Sequence, residues 1–119
     1  MSEIGIDVVS INRIEKWLED EDILNRIFTD NEKCILKERP DPHKHLAGRF
    51  AAKEAAMKAL GTGWAKGIDW KDIEVVNNGK GKPGLNFYGN AMKLTDKKKA
   101  LLSITYTPEF AIAMVVISD

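Results

Sequence analysis

Arg49-Phe50-Ala51-Ala52-Lys53-Glu54-Ala55-Ala56-Met57-Lys58-Ala59-Leu60, closed by Gly61-Thr62-Gly63, decides how the rest of this 119-residue chain is read. Nearly every residue in the run is a strong helix former, and Gly61 stands where a left-handed C-cap belongs. At about 100° per residue, Arg49 and Lys53 share one side of the helix, while Glu54 and Lys58 share a side roughly opposite. Alanine fills most of the remaining circumference, together with Phe50, Met57 and Leu60. A helix this small and apolar predicts close neighbours and burial. Buried charges need partners or they neutralise, so Glu54 and Lys58 become the first candidates for chemistry.

Upstream, Ile4-Gly5-Ile6-Asp7-Val8-Val9 reads as a short β-strand with Asp7 near its end. Ser10 is a plausible N-cap for a helix carrying Ile11, Ile14, Trp17 and Leu18 at helical spacing, with Arg13 and Lys16 on its surface. Asp20-Glu21-Asp22 reads as an acidic break. Thr29-Asp30-Asn31-Glu32 matches a capping box, and the helix it starts must end before Pro40. Arg39-Pro40-Asp41-Pro42 is a loop, which puts the start of the central helix at His43 to Leu46.

Downstream, Trp64 to Gly67 reads as a surface loop, and Ile73 to Val76 and Leu85 to Tyr88 as strands flanking the turn-rich Asn77 to Gly84. Gly89 to Lys99 reads as a polar helix. Leu101 to Tyr106 and Phe110 to Ser118 are strands separated by Thr107-Pro108, and the apolar last one belongs in a sheet centre. The fold class is therefore α+β: an antiparallel β-sheet with a long central helix and shorter helices concentrated in the N-terminal half. No linker or repeat interrupts it, so residues 1–119 read as a single domain.

Composition narrows the function classes. Lys+Arg and Asp+Glu are equal at 18 each, so bulk charge supports neither nucleic-acid nor membrane-surface binding. The longest apolar run, Ala111 to Ile117, is far short of a membrane span. Cys34 is the only cysteine, which removes internal disulfides and cysteine-rich zinc sites and fits a reducing cytoplasm. In a predicted helix with no catalytic partner nearby, it reads as a small hydrophobe. Glu3 and Asp7 interrupt the N-terminus, so no signal peptide is read there. His43 and His45 lack ligand-spaced partners and read as surface residues.

Glu54 and Lys58 alone could be an (i, i+4) surface pair, and Asp7 alone a solvated strand-end carboxylate. Converging, Asp7 and Glu54 would suit Mg²⁺, which takes one or two carboxylates and completes its shell with water and phosphate oxygens. Lys58 would then be a phosphate-binding point charge. The glycine stretches at Gly61 and Gly79-Lys80-Gly81-Lys82-Pro83 allow close backbone approach to a ligand but match no P-loop or dinucleotide fingerprint.

Taken in order, Gly5-Ile6-Asp7-Val8-Val9, the Arg49 to Gly63 run, Trp70-Lys71-Asp72-Ile73-Glu74-Val75, Gly81-Lys82-Pro83 and Ser103-Ile104-Thr105 resemble the holo-acyl-carrier-protein synthase family, small bacterial 4′-phosphopantetheinyl transferases. The resemblance spans essentially the whole chain and implies the 4′-phosphopantetheinyl transferase fold. It also implies transfer of phosphopantetheine from coenzyme A to a serine of apo-acyl carrier protein, for fatty acid and lipid synthesis. By the same resemblance Asp7 and Glu54 would ligate Mg²⁺, and Lys58 would orient and neutralise the pyrophosphate. Arg49 and Lys53 would face outward, near the coenzyme's phosphates or a neighbouring subunit. Gly61, Thr62, Gly63, Gly81, Lys82, Pro83, Thr105 and Tyr106 would line the coenzyme pocket, Arg13 would dock the carrier protein, and the assembly would be a homotrimer.

Two positions depart from the family's pattern. Tyr106 stands where a histidine is usual, and Met57 replaces a small polar residue before Lys58. A rival reading from another class is a non-enzymatic module binding an acidic helical partner through Arg13 and Lys16. A lesser one is a Mg²⁺-dependent hydrolase of small pyrophosphates.

Overall fold

The computed structural model describes residues 2–61 and 67–119, so Thr62, Gly63 and the loop from Trp64 to Lys66 lie outside the described residues. β1 (Ser2–Ser10) is longer than the expected strand and places Asp7 within it rather than at its end. Side chains alternate along it, with Gly5 and Val9 buried, Asp7 half-buried and Ile4, Ile6 and Val8 exposed. Ser10 caps α1 (Ile11–Glu15), its Oγ accepting from the Arg13 N–H at 3.4 Å, and a 3₁₀ turn, Lys16–Glu19, follows.

The acidic break is confined to Asp20, which is extended between the 3₁₀ turn and the next helix. The Asp20 carboxylate accepts from the Ile23 N–H at 3.2 Å and caps α2 (Glu21–Ile27). Glu21 and Asp22 occupy its first turn, where the helix dipole favours negative charge. The capping box of α3 (Asp30–Lys37) forms as expected, with Thr29 N–H to Glu32 Oε1 at 2.9 Å and Glu32 N–H to Thr29 Oγ1 at 3.2 Å. Cys34, expected as a small hydrophobe, is exposed on that helix.

α4 (Pro42–Leu60) begins earlier than His43, because Pro42 takes the first helical position, where its missing N–H costs no hydrogen bond. His43 and His45 are consequently half-buried helical residues rather than surface loop residues. Gly61 closes α4 in the left-handed conformation at φ 73°.

The 3₁₀ turn Trp70–Asp72 leads into the hairpin of β2 (Ile73–Asn77) and β3 (Pro83–Phe87). α5 (Gly89–Thr95) stops short of Lys99, because Asp96 and Lys97 turn the chain at φ 26° and 60°. Lys99 already belongs to β4 (Lys99–Tyr106), which β5 (Phe110–Ser118) follows.

The expected single sheet is two. β1, β5 and β4 form an antiparallel sheet with β5 in the centre, as its composition predicts, and β2–β3 is a separate two-stranded sheet. α4 packs on the inner face of the larger sheet, against β1 and β5. Its alanines 47, 51, 52, 55, 56 and 59 are all at most 3% exposed. The approach is so close that a Cβ on Gly5 would lie 1.9 Å from the Ala55 carbonyl oxygen. Glycine in β1 and alanine in α4 are the two halves of one contact.

Candidate active site

Register and helix phase bring the candidates together. Asp7 projects from the same face of β1 as Gly5, the face that meets α4 near Ala55 and Ala59. Lys58, one position before Ala59, reaches across this junction. Its Nζ donates to Asp7 Oδ1 at 2.9 Å and to the Ile6 carbonyl at 3.1 Å. Lys58 is therefore exposed and paired with Asp7, not buried beside Glu54 as the helix periodicity suggests.

Glu54 is half-buried on the same side of α4. Burial first, and then the charge of Asp7, holds its carboxyl above the usual carboxylate range, while Lys58 and Arg13 pull it back down. Two carboxylates, a lysine and the exposed Arg13 thus share one electrostatic neighbourhood drawn from β1, α1 and α4. The bond to Asp7 and its charge raise Lys58 in turn.

A metal would find two hard oxygen donors here. No group of three or more His, Cys, Asp or Glu side chains capable of holding a metal occurs among the described residues. A cage of protein ligands is therefore excluded among them. A cation that keeps water and takes substrate oxygens suits a pair of hard oxygen donors, and Asp7 lies within electrostatic reach of Glu54.

The other basic side of α4 faces inward. Arg49 is 4% and Lys53 0% exposed, which overturns the expectation that both face outward. Lys53 Nζ pairs with Glu32 Oε1 at 2.8 Å and donates to the Trp70 carbonyl at 3.1 Å and to the Ile73 carbonyl. All three ammonium protons are used, so Lys53 is no coenzyme contact. Burial lowers its pKa against the opposing pull of Glu32. Glu32 Oε2 also accepts from Val75 N–H at 2.9 Å, and nearby Glu74 accepts from the hydroxyls of Thr29 and Tyr88. Sequence reading found Glu32 only as a capping residue. Four alanines beside a lysine on one helix were the available warning that the lysine is buried.

Arg49 differs from Lys53 in having Nε and Nη2 buried without a hydrogen-bond partner. It lies within electrostatic reach of Tyr106 and Arg39. Tyr106 is half-buried, burial raises its pKa, and its ring carries Lys44 Nζ 4.8 Å from its centroid and His45 edge-on at 6.3 Å. His45 is pushed down by burial and then by Arg39, Arg49 and Lys44. Gly48 makes room for this tyrosine, because a Cβ there would lie 2.3 Å from the Tyr106 hydroxyl. Sequence reading missed Gly48 and Arg39.

Lys82 and Pro83 line a cleft of about 480 Å³ between the β2–β3 hairpin and the outer face of β4 and β5, and Gly81 adopts φ 76° in the adjoining turn. Thr105 is exposed on β4, on the same outer face. Met57 is a core residue, 5% exposed. A cleft of about 500 Å³ between α2 and α3 includes none of Asp7, Glu54 and Lys58 in its lining.

Strand β1 and helix α4 thus bring Asp7, Glu54 and Lys58 to one side of an α+β fold. The 4′-phosphopantetheinyl transferase superfamily matches residues 3–115, and the chain belongs to it. Holo-[acyl-carrier-protein] synthase of Protochlamydia amoebophila is 43% identical over 118 residues, covering 98% of this chain and 97% of that protein. The Halothermothrix orenii holo-[acyl-carrier-protein] synthase is 48% identical over 120 residues, covering 95% and 94%. Among solved structures, the Bacillus anthracis holo-(acyl-carrier-protein) synthase in complex with coenzyme A (3′,5′-ADP) superposes with a TM-score of 0.84 at 41% identity, covering 98% and 96%. The Helicobacter pylori enzyme in complex with coenzyme A does so with 0.85 at 35%, covering 97% and 99%.

Proposed function

We propose that this protein transfers the 4′-phosphopantetheine group of coenzyme A to a serine of apo-acyl carrier protein. The observation that supports the reading is the Lys58–Asp7 contact between α4 and β1, with Glu54 in electrostatic reach, in a chain similar over 98% of its length to a holo-[acyl-carrier-protein] synthase. Attack at a pyrophosphate needs positioning and neutralisation of negative charge more than covalent help from the protein.

Asp7 and Glu54 would hold Mg²⁺, which when bound supplies Lewis-acid charge to the pyrophosphate oxygens. Lys58 would leave Asp7 for a phosphate oxygen, since its side chain is 55% exposed and free to swing. The serine hydroxyl must lose its proton in the attack, and Glu54, Asp7 or a metal-bound water would accept it. Arg13 beside Glu54 would meet the acidic carrier protein and deliver its serine to the carboxylates. Arg49 with its unused donors, Tyr106, Thr105, Lys82 and Pro83 would contact the coenzyme, together with Gly61, Thr62, Gly63 and Gly81.

A homotrimer is part of the proposal. The outer face of the larger sheet carries Ile4, Ile6, Val8, Leu101, Phe110 and Met114, all at least 41% exposed. A contiguous apolar face of this kind favours association. We place the enzyme in the cytoplasm, in fatty acid biosynthesis; no helix among the described residues is long and apolar enough to cross a membrane. The test is incubation with coenzyme A, Mg²⁺ and several apo-carrier proteins. Release of free phosphopantetheine without carrier protein would instead favour a hydrolase. Carrier binding indifferent to Mg²⁺, coenzyme A and Asp7→Asn would favour a non-enzymatic module.

A further inference from the structure

We propose that Lys53 is a positioning residue that sets the rotation of α4, and thereby aims Glu54 at Asp7. The inference rests on the reading of Asp7 and Glu54 as a metal site.

An ordinary amphipathic helix finds its rotation by burying one stripe and exposing the other. α4 lacks that guide, because Leu46 to Lys53 and Ala55 to Met57 are all buried, around the whole circumference. Alanine methyl groups are interchangeable in size, so a turn of the helix about its axis exchanges one alanine for another. Besides the exposed Lys58 bonds to β1, only packing resists such a turn, that of Phe50 and Met57 and of Gly5 against Ala55, and packing tolerates small adjustments. A directional polar anchor does not.

Lys53 supplies that anchor. Its ammonium meets one carboxylate oxygen and two backbone carbonyls, each from a different part of the chain: Glu32 at the start of α3, Trp70 in the 3₁₀ turn and Ile73 at the start of β2. The Phe28 ring lies 5.5 Å from the same nitrogen. Glu32 is itself held by Thr29 N–H and Val75 N–H, so the anchor point is rigid. Glu54 follows Lys53 directly, and about 100° of helix rotation carries it from this anchor towards β1. A buried ion pair is weak evidence for stability and is better attested as a device for specifying one arrangement. Here that arrangement is the facing of the two carboxylates.

Mn²⁺ serves as the probe, its binding followed by electron paramagnetic resonance in the presence of saturating coenzyme A, with melting temperature measured in parallel. Lys53→Met is expected to weaken Mn²⁺ binding by about 10- to 100-fold, the usual effect of losing a group that orients a metal ligand. Because that variant leaves Glu32 buried without its cation, Lys53→Met combined with Glu32→Gln is the second variant. Glutamine removes the charge and keeps one acceptor oxygen, enough for either the Thr29 or the Val75 N–H. The double variant is expected to regain melting temperature without regaining Mn²⁺ affinity.

Mn²⁺ affinity within twofold of the unaltered protein in either folded variant would overturn the inference. So would affinity that recovers together with melting temperature in the double variant. Glu54→Gln is the control. If it leaves Mn²⁺ binding unchanged, the metal-site reading itself fails. If it abolishes binding while the Lys53 variants stay within twofold of the unaltered protein, the anchor alone fails.

Discussion

Lys58 Nζ lies 2.9 Å from Asp7 Oδ1, so the lysine is paired with one of the two carboxylates proposed to hold Mg²⁺. It neutralises Asp7 but leaves Glu54 facing an acidic neighbour. A metal held by Asp7 would compete with the lysine for the same oxygen, and a coenzyme phosphate would give the lysine another partner.

This competition has opposite effects on binding and catalysis. Lys58→Ala is expected to lower the transfer rate by about 10²- to 10³-fold, the usual effect of removing a charge-stabilising donor. In the absence of coenzyme A the same variant is expected to bind Mn²⁺ more tightly than the unaltered protein. Calorimetric titration checks the second part, and weaker binding would contradict the competition.

Glu54 predicts a pH dependence of stability. Its folded pKa is raised, so its contribution is fully present below the ordinary glutamate value of about 4.3 and is lost as pH rises through the raised value. Glu54→Gln removes that penalty. Without Mg²⁺ the variant is expected to melt higher than the unaltered protein at pH 7, with the gap closing towards pH 4. Mg²⁺ with coenzyme A should raise the melting temperature of the unaltered protein and not that of the variant. Thermal scans across pH provide the measurement.

Gly5 predicts a steric failure. A Cβ there would lie 1.9 Å from the Ala55 carbonyl oxygen and 2.7 Å from the Ala59 nitrogen. Both are backbone atoms that cannot turn aside. Gly5→Ala is expected to cost about 1–3 kcal/mol or more, as overpacking does. Transfer activity should fall further than stability, because β1 carries Asp7 away from α4. Denaturant titration and a transfer assay on the folded fraction separate the two effects.

Gly48 and Tyr106 should be coupled. A Cβ on residue 48 meets the tyrosine hydroxyl at 2.3 Å, whereas the shorter ring of the Tyr106→His variant would clear it. Gly48→Ala is therefore expected to destabilise the unaltered protein more than the Tyr106→His background, with a coupling of about 0.5–3 kcal/mol. A double-mutant cycle measured by denaturant unfolding checks it. Additive effects would show that the two residues do not share this space.

Local chemistry made much of this fold legible. Ser10, Thr29 and Gly61 cap where their residue types predict, and the apolar Phe110–Ser118 run takes the sheet centre. Of the candidate site, the structure brings Lys58 to Asp7 and sets Glu54 within electrostatic reach of both. The pairing of Lys58 with Asp7 was not legible, because helix periodicity pairs Glu54 with Lys58 and knows nothing of β1. Lys53 was misread for a related reason. Charge argues for a solvated side, and only the distant Glu32 carboxylate and two backbone carbonyls reverse that argument. The division into two sheets depends on how the β2–β3 hairpin packs beyond β4, which no strand pattern encodes.

The central claim is that Asp7 and Glu54 serve phosphopantetheine transfer at this junction. Intact-mass measurement of an apo-acyl carrier protein, after incubation with coenzyme A, Mg²⁺ and this protein, tests it most directly. The account predicts a gain of one phosphopantetheine, lost on chelation of Mg²⁺ and lost with Glu54→Gln. No gain across several carrier proteins would contradict the function, and a full gain with Glu54→Gln would contradict the site.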